Sequence, residues 1–425
     1  MDNDHLTGLL PLHLFILEAD YILANNPHRR YAVTATDLSN FKYINNLYGM
    51  EEGDQTIIDM ADTLFISNPR CVLASRPYAD QFRALIDLGS TTQEQECEII
   101  QSMNNDLIKR LQQRYHNIYL HIYTGLYMIE DNSEEVRNAC DKAHFAKKCI
   151  KGNLAVNYGL FNPRAYEDSN HTIECINAFQ HAKKRNKILV YMQPKVSAST
   201  GELVGAEALG RMLDRNGALM SPGEFMPALE QTGIIGEFDN IIMDMTFSTI
   251  RRWIDNQMRV VPVSVNISRM QFLKPGLVDR IVSCQEKYGI PADLIEIEIT
   301  ETTFINDIDL INSISGQLRG HGFHIDVDDF GSGYSSLSLI STLPADIVKL
   351  DCSFARKCLD NEKGISILSN LIHMLKDIGF DLVCEGIETN EQKELIEKLG
   401  CDKIQGFFYD KPLPIDEFEK KYMYQ

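Results

Sequence analysis

From residue 188 onward the chain consists of short apolar runs separated by stretches of helix length, and this alternation limits the folds open to it. The runs fall at 188–196, 203–209, 259–266, 294–300, 322–328, 346–350, 381–385 and 402–405. Only Ala198-Ser199-Thr200-Gly201 separates the first two, so they are expected to pair antiparallel as a hairpin. The later runs are joined by segments long enough to carry the chain back across a sheet, which makes them parallel neighbours. Eight such strands predict a (β/α)8 TIM-like barrel with an antiparallel first strand.

Barrels of this kind carry their chemistry at the C-terminal ends of the strands. Read in order, those ends offer Glu207 with Arg211 just after it, then Asn266, then Glu296, Glu298 and Glu301. Asp328 and Asp329 follow, then Lys349 and Asp351, Glu385 with Glu388 beyond the turn, and finally Gln405. Alone, the Asp328-Asp329 pair reads as a strand end and a helix cap. Recurrence at seven successive ends reads differently, because converging carboxylates repel unless cations or raised pKa values relieve them. Several acids with one asparagine and no cysteine or histidine form a hard donor set suited to Mg²⁺ or Mn²⁺. Side chains alternate along a strand, so adjacent acids converge only where the backbone turns. Gly331 and Gly333 are expected to supply that turn.

The first part of the chain has a different rhythm. Strands are predicted at 31–37, 71–76, 82–88 and 118–129, with helices at 40–48, 51–66, 92–114 and 133–149. This pattern predicts an α/β domain over 1–155. Residues 152–170 are rich in Gly, Asn and Pro and mark the boundary, with 156–170 read as a linker and 171–425 as the second domain. Within it, Ile173, Ile176, Phe179 and Ala182 have the spacing of an entry helix.

Composition narrows the partners. A net charge of -19 and a pI near 5.0 oppose passive attraction to a nucleic-acid polymer or an anionic membrane. An anionic substrate would therefore need local cations or bound metal. Ten cysteines without metal-type spacing read as reduced thiols, which points to a cytoplasmic setting. No run approaches the length of a membrane-spanning helix, and the apolar stretch at 9–17 is too short and too acid-flanked for a signal peptide.

Several stretches of the first domain fit one family. Asp4-His5-Leu6-Thr7-Gly8-Leu9, the run from Asp37-Leu38-Ser39-Asn40-Phe41 to Asn45-Asn46-Leu47-Tyr48-Gly49, Gly53-Asp54 and Asp141-Lys142-Ala143-His144-Phe145-Ala146-Lys147 together resemble the GGDEF family of diguanylate cyclases. The signature itself is broken: Tyr78-Ala79-Asp80-Gln81-Phe82 stands where the family has two glycines, two acids and phenylalanine. Tyr78 and Ala79 put side chains where a phosphate would approach, and Gln81 carries neither charge nor proton. The resemblance therefore implies a degenerate, inactive cyclase domain. The family's inhibitory RxxD site is also missing, since Ser67-Asn68-Pro69-Arg70-Cys71-Val72 precedes the hairpin. By the resemblance, Asp37 matches a metal position, and Asn45 and Asp54 match guanine-binding positions. Residual GTP binding as a regulatory input, and a scaffolding or dimer-contact role, are both open for this domain.

The second domain resembles the EAL family of cyclic di-GMP phosphodiesterases through a longer ordered set. It comprises Glu207-Ala208-Leu209 with Arg211, Val265-Asn266-Ile267-Ser268, Glu298-Ile299-Thr300-Glu301 and Asp328-Asp329-Phe330-Gly331-Ser332-Gly333-Tyr334-Ser335-Ser336. Lys349-Leu350-Asp351, Cys384-Glu385-Gly386-Ile387-Glu388-Thr389, Gln405-Gly406-Phe407 and Lys411-Pro412-Leu413-Pro414 complete it. The resemblance implies two-metal hydrolysis of cyclic di-GMP to linear pGpG. It implies that Glu207, Asn266, Glu298 and Asp328 hold one Mg²⁺ or Mn²⁺ ion, and that Asp328, Asp329 and Glu385 serve a second, with Asp351 close by. Glu385 is the expected general base and Lys349 the group that positions water or offsets phosphoryl charge. Arg211, Glu388 and Gln405 are expected to hold substrate, and Glu301 to anchor the loop after the fifth strand. Gly210 and Met212 depart from the bulkier residues usual beside the first motif and are expected to loosen packing there. The family often dimerises near the loop after the fifth strand, so a homodimer is expected. A non-catalytic cyclic di-GMP receptor is the main alternative, and a bifunctional cyclase and phosphodiesterase is opposed by Tyr78, Ala79 and Gln81.

Overall fold

The computed structural model describes residues 3–306, 308–331, 344–359 and 361–424. The chain divides into two compact units, 1–170 and 171–425.

In the first unit, β1 (Tyr31–Leu38) is the middle of a five-stranded sheet and is buried along its whole length. It pairs antiparallel with β3 (Gln81–Asp87) on one side and β4 (Ile122–Met128) on the other. β2 (Cys71–Tyr78) extends one edge through β3, and β5 (Tyr158–Leu160) extends the other, parallel to β4. Burial on both faces accounts for the unbroken small and β-branched run Ala32-Val33-Thr34-Ala35-Thr36. One face packs against Phe15, Ala19 and Leu23 of the helix Leu12–Asn25 and against Val136, Ala139 and Ala143 of the helix Val136–Ile150. The first of these helices is not legible in the sequence. Leu17 and Tyr21 are exposed beside the buried stripe, so apolar residues lie all round it and no single face stands out. The predicted helix at 51–66 is Met50–Ala61 followed by a π-helical turn.

Residues 156–170 are not irregular chain. They contain β5 and the start of the helix Pro163–Lys184, where proline takes the first turn, the position at which its missing N–H costs least.

The second unit closes a barrel. β6 (Ile188–Ser197) runs antiparallel to β7 (Leu203–Leu213), whose far end also pairs with the short β8 (Leu219–Met220). Parallel pairing then continues through β9 (Val263–Asn266), β10 (Ile295–Thr300), β11 (His324–Phe330), β12 (Ile347–Leu350), β13 (Asp381–Cys384) and β14 (Lys403–Ile404). β14 returns to β6 antiparallel, so the first strand opposes both neighbours, and β15 (Leu413–Pro414) also adds to β6. All eight predicted strands are present. β7 runs on beyond its predicted end, so Glu207 sits inside the strand, opposite Gln193 on β6 and Ser264 on β9.

Two expectations change. The turn that brings the acid pair together lies within β11, where the register against β12 shifts between Val327 and Phe330. Asp329 itself adopts φ 57°, a left-handed conformation that an aspartate tolerates better than most side chains. Gly331 follows at φ 95°, and Gly333 lies outside the described residues. Packing beside Glu207 is also tight rather than loose. A Cβ at Gly210 would fall 2.5 Å from the Phe238 ring, and Met212 is fully buried. Gly210→Ala should therefore cost about 1–3 kcal/mol by overpacking, measured as a lower urea midpoint at unchanged slope. An unshifted midpoint would mean the Phe238 ring yields freely.

Candidate active site

Lys349, on β12, has its ammonium among four carboxylates. Its Nζ lies 2.8 Å from Glu385 Oε1, 3.0 Å from both Glu298 Oε1 and Asp328 Oδ1, and 3.3 Å from Glu207 Oε2. Each partner comes from a different strand or strand end, so the barrel register fixes the cage. Glu207 is held further by Asn266 Nδ2, which donates to Oε1 at 2.9 Å, and by Gln405 Nε2, which donates to Oε2 at 2.6 Å. Asp329 joins at the edge: one carboxylate oxygen each from Asp328, Asp329 and Glu385 lie within 4.8 Å of one another. A cavity of about 280 Å³ opens over the cage, lined among others by Glu207, Asp328, Glu385, Glu388, Gln405 and Arg356.

Electrostatics divide these acids. Burial opposes ionisation of Glu298, yet Lys349 and Lys195 together hold it at about 2. Burial pushes Glu385 up to about 8, with Asp328 and Glu207 adding to the effect against the pull of Lys349. Burial and the neighbouring Glu298 raise Glu207, while burial, Glu298 and Asp329 raise Asp328. Lys349 would be neutralised by burial alone, but the surrounding carboxylates keep it charged.

An ammonium has three N–H donors, and four carboxylates crowd Lys349. The cage is therefore over-supplied with negative oxygen. Glu298 Oε2 is buried with no close hydrogen-bond partner, although the nearby Ser264 hydroxyl also helps to keep this carboxylate ionised. A surplus of hard oxygen donors, one of them unused and buried, fits divalent cations of the Mg²⁺ and Mn²⁺ class. Among the described residues, Asp328, Asp329 and Glu385 bring carboxylate oxygens close enough together to hold an ion, and Glu207, Asn266 and Glu298 adjoin them in the cage.

Other expected residues stand further out. Asp351 Oδ1 accepts from Phe354 N at 2.9 Å, which caps the helix Cys352–Leu359. Glu301, buried at the end of β10, accepts from Gly331 N at 3.0 Å through Oε2 and so ties down the backbone where β11 ends. The rest of that loop, where dimer contacts are expected, lies outside the described residues. Arg211 does not line the cavity. Its guanidinium stands 5.5 Å from the Tyr191 ring centroid and donates to Gly210 O. Glu388 is paired with Arg356, a cavity residue absent from the sequence reading. Gln193 was also missed, although it accepts from Gln405 Nε2 at 3.1 Å. The opposed strand direction would have identified it: β6 brings a residue from its middle, not its end, opposite Glu207.

In the first unit, Asp37 is taken up by the chain's own groups. Lys147 Nζ is 3.0 Å and Lys151 Nζ 2.8 Å from its Oδ2, and Gln81 Nε2 donates to the same oxygen at 3.1 Å. Lys147 also donates to Gln81 Oε1 at 2.6 Å, which closes the group. Asp80 points back to Leu38 N. Two ammoniums thus already neutralise Asp37 at Oδ2, while its Oδ1 is buried without a hydrogen-bond partner. Asn45 lines a cavity of about 710 Å³ bounded by Phe41, Tyr43, Tyr119 and Tyr123, with its buried Oδ1 unpartnered, whereas Asp54 is exposed and outside that lining.

A closed barrel with an acidic, lysine-centred cage at the C-terminal rim defines the class of the second unit. Comparison with known proteins gives the family. Residues 176–412 match the EAL domain, and residues 1–153 match the diguanylate cyclase GGDEF domain. The chain belongs to the EAL family, with a GGDEF domain preceding the EAL domain. It is 28% identical over 422 residues to the bifunctional diguanylate cyclase/cyclic di-GMP phosphodiesterase MucR of Pseudomonas aeruginosa, covering 98% of this chain and 61% of MucR. It is 25% identical over 433 residues to the cyclic di-GMP phosphodiesterase PdeR of Escherichia coli, covering 99% of this chain and 63% of PdeR. The chain thus spans about three-fifths of the length of these relatives. The MucR phosphodiesterase solved as a c-di-GMP complex superposes with a TM-score of 0.55 at 32% identity, over 57% of this chain and 99% of that one. Among the described residues, no helix is long and apolar enough to cross a membrane.

Removing the central cation should expose the cage. Breaking a buried ion pair costs about 3–5 kcal/mol, so Lys349→Met should melt well below wild type in EDTA and recover more stability than wild type when Mn²⁺ is added. Equal melting in EDTA would show that the acids do not depend on Lys349. The raised carboxyl of Glu385 means that folding takes up a proton between the ordinary carboxylate range and about 8. Its contribution to metal-free stability is present at lower pH and lost as pH rises through about 8. Urea titrations in EDTA across that interval should show falling stability in wild type and a flatter profile in Glu385→Gln.

Proposed function

We propose that the second unit hydrolyses one phosphodiester bond of cyclic di-GMP, releasing linear pGpG. The observation that carries this reading is the excess of carboxylate over ammonium around Lys349, open to a cavity at the C-terminal rim of the barrel. Bound divalent cations would supply Lewis acidity here, lowering the pKa of a water and offsetting charge on the phosphoryl group. Glu207, Asn266, Glu298 and Asp328 would hold one ion, and Asp328, Asp329 and Glu385, with Asp351 nearby, the other.

Glu385 then accepts the proton of the attacking water at its carboxylate. Burial raises the proton affinity of that carboxylate, which strengthens it as a base, and cations held beside it would keep it ionised until it takes the proton. Lys349 stays charged and donates toward whichever oxygen carries the developing negative charge. Glu388 and Gln405 orient substrate and water. Arg211 engages a phosphate oxygen through its planar fork once it leaves the Tyr191 ring. Glu301 keeps the acid pair in place by holding Gly331.

For the first unit we propose a non-catalytic, regulatory role. Lys147, Lys151 and Gln81 occupy the carboxylate that a cyclase would present to metal. Its remaining cavity is suited to an aromatic base, with GTP the candidate, and the whole protein is proposed to act as a homodimer in the cytoplasm.

Chromatography of cyclic di-GMP incubated with Mg²⁺ or Mn²⁺ decides between enzyme and receptor. The expected product is pGpG, and Glu207→Gln should remove turnover while leaving the fold intact by circular dichroism. Binding of cyclic di-GMP without product would favour the receptor. GTP alone should yield no cyclic di-GMP, and its appearance would overturn the reading of the first unit. Glu301→Ala should lower turnover while leaving Glu207, Glu298 and Lys349 in their cage. Normal turnover in that variant would remove the anchor role.

A further inference from the structure

Beneath the cage lies a second buried ammonium that the strand-end pattern does not reveal. Lys195, on β6, is fully buried, and its Nζ lies 2.8 Å from Glu296 Oε2, 3.2 Å from Glu298 Oε1 and 3.2 Å from Asp326 Oδ2. Its three N–H donors thus meet three acceptors, one apiece. Each N–H here has an acceptor of its own, unlike around Lys349, although three carboxylates share the one ammonium and Asp326 Oδ1 is buried without a partner. The two shells share a single atom: Glu298 Oε1 also receives Lys349, at 3.0 Å. The other oxygen of that carboxylate, Oε2, is buried with no close partner.

A carboxylate with one oxygen clamped between two ammoniums cannot rotate freely about its terminal bond. Its other oxygen is then held in one direction. Lys349 alone would not achieve this, because four acids compete for its three protons. Lys195 has no such competition. We infer that Lys195 is a positioning residue for the reaction: by fixing Glu298 Oε1 from below, it presents Oε2 to the divalent cation. The inference rests on the metal-dependent reading above, and Lys195 itself touches neither substrate nor the reacting atoms.

The position of Lys195 follows from the reversed first strand. β6 descends where its neighbours rise, so Gln193 meets Gln405 and Glu207 in the cage, and Lys195, two residues on, reaches the layer below. A lysine at that depth in a fully parallel barrel would have to come from a strand interior that normally packs branched apolar residues.

Mn²⁺ affinity of the full chain, measured by calorimetry and by the electron paramagnetic resonance of free Mn²⁺ in the absence of substrate, tests this directly. Lys195→Met should bind the Glu298-dependent ion about tenfold more weakly or worse, the usual effect of removing an outer partner of a metal ligand. In a Glu298→Gln background the same substitution should add little, since the group it positions is already lost. Unchanged affinity in Lys195→Met overturns the inference. So does tighter binding, which would mean that Lys195 acts only as a repelling charge. If Lys195→Met does not fold, the triple variant Lys195→Met, Glu296→Met, Asp326→Leu replaces the whole lower shell with apolar side chains, a change buried ion clusters often tolerate. Weak Mn²⁺ binding in that folded variant supports the inference, and wild-type binding overturns it. Turnover is scored separately. A wild-type chain that binds Mn²⁺ but yields no pGpG defeats the phosphodiesterase reading and leaves the role of Lys195 standing. A wild-type chain that turns over, with metal affinity indifferent to Lys195, does the reverse.

Discussion

One buried ammonium organises the second unit. Four carboxylates from different parts of the chain converge on Lys349, and without that charge the barrel rim would bring together groups that repel one another. The arrangement is incomplete as well as attractive: too many acids share too few protons, and an oxygen of Glu298 is left over. A structure that has folded around one cation with negative oxygen to spare is prepared for further positive charge. Ordinary folding energetics and readiness for metal thus come from the same contacts.

The first unit shows the opposite balance at an analogous carboxylate. Asp37 meets two lysines and an amide at one oxygen, so positive charge exceeds the charge of that carboxylate, and its other oxygen is buried without a partner. The contrast turns on few atoms. Where Gln81 stands, a carboxylate would compete with Asp37 for Lys147 and restore the excess of acid. The amide instead joins the two groups, accepting from the lysine and donating to the aspartate.

Much of this was legible in the sequence because strand periodicity and charge intrude on each other so plainly in the barrel. Glu207, Asn266, Glu298, Asp328, Lys349, Glu385 and Gln405 each break an apolar run, and register then brings them together. Reading the ends of strands failed where the strand direction reversed, so Gln193 and Lys195 were passed over although they lie in the first apolar run. Arg356 escaped because it comes from a helix and is recognisable only beside Glu388. The convergence of Asp328 and Asp329 was expected from the glycines after them, yet the backbone change occurs at Asp329 itself, a left-handed aspartate that no periodicity announces. The helix Leu12–Asn25 was hidden by apolar residues on its exposed side.

The reversed first strand has one more consequence. In a fully parallel barrel the chain enters at the face away from the chemistry and reaches it only after crossing the sheet. Here the helix Pro163–Lys184, which continues across the division between the two units, feeds into Ile188 at the rim, and Gln193 follows a few residues later. The covalent path from the first unit to the cage is therefore one helix and half a strand.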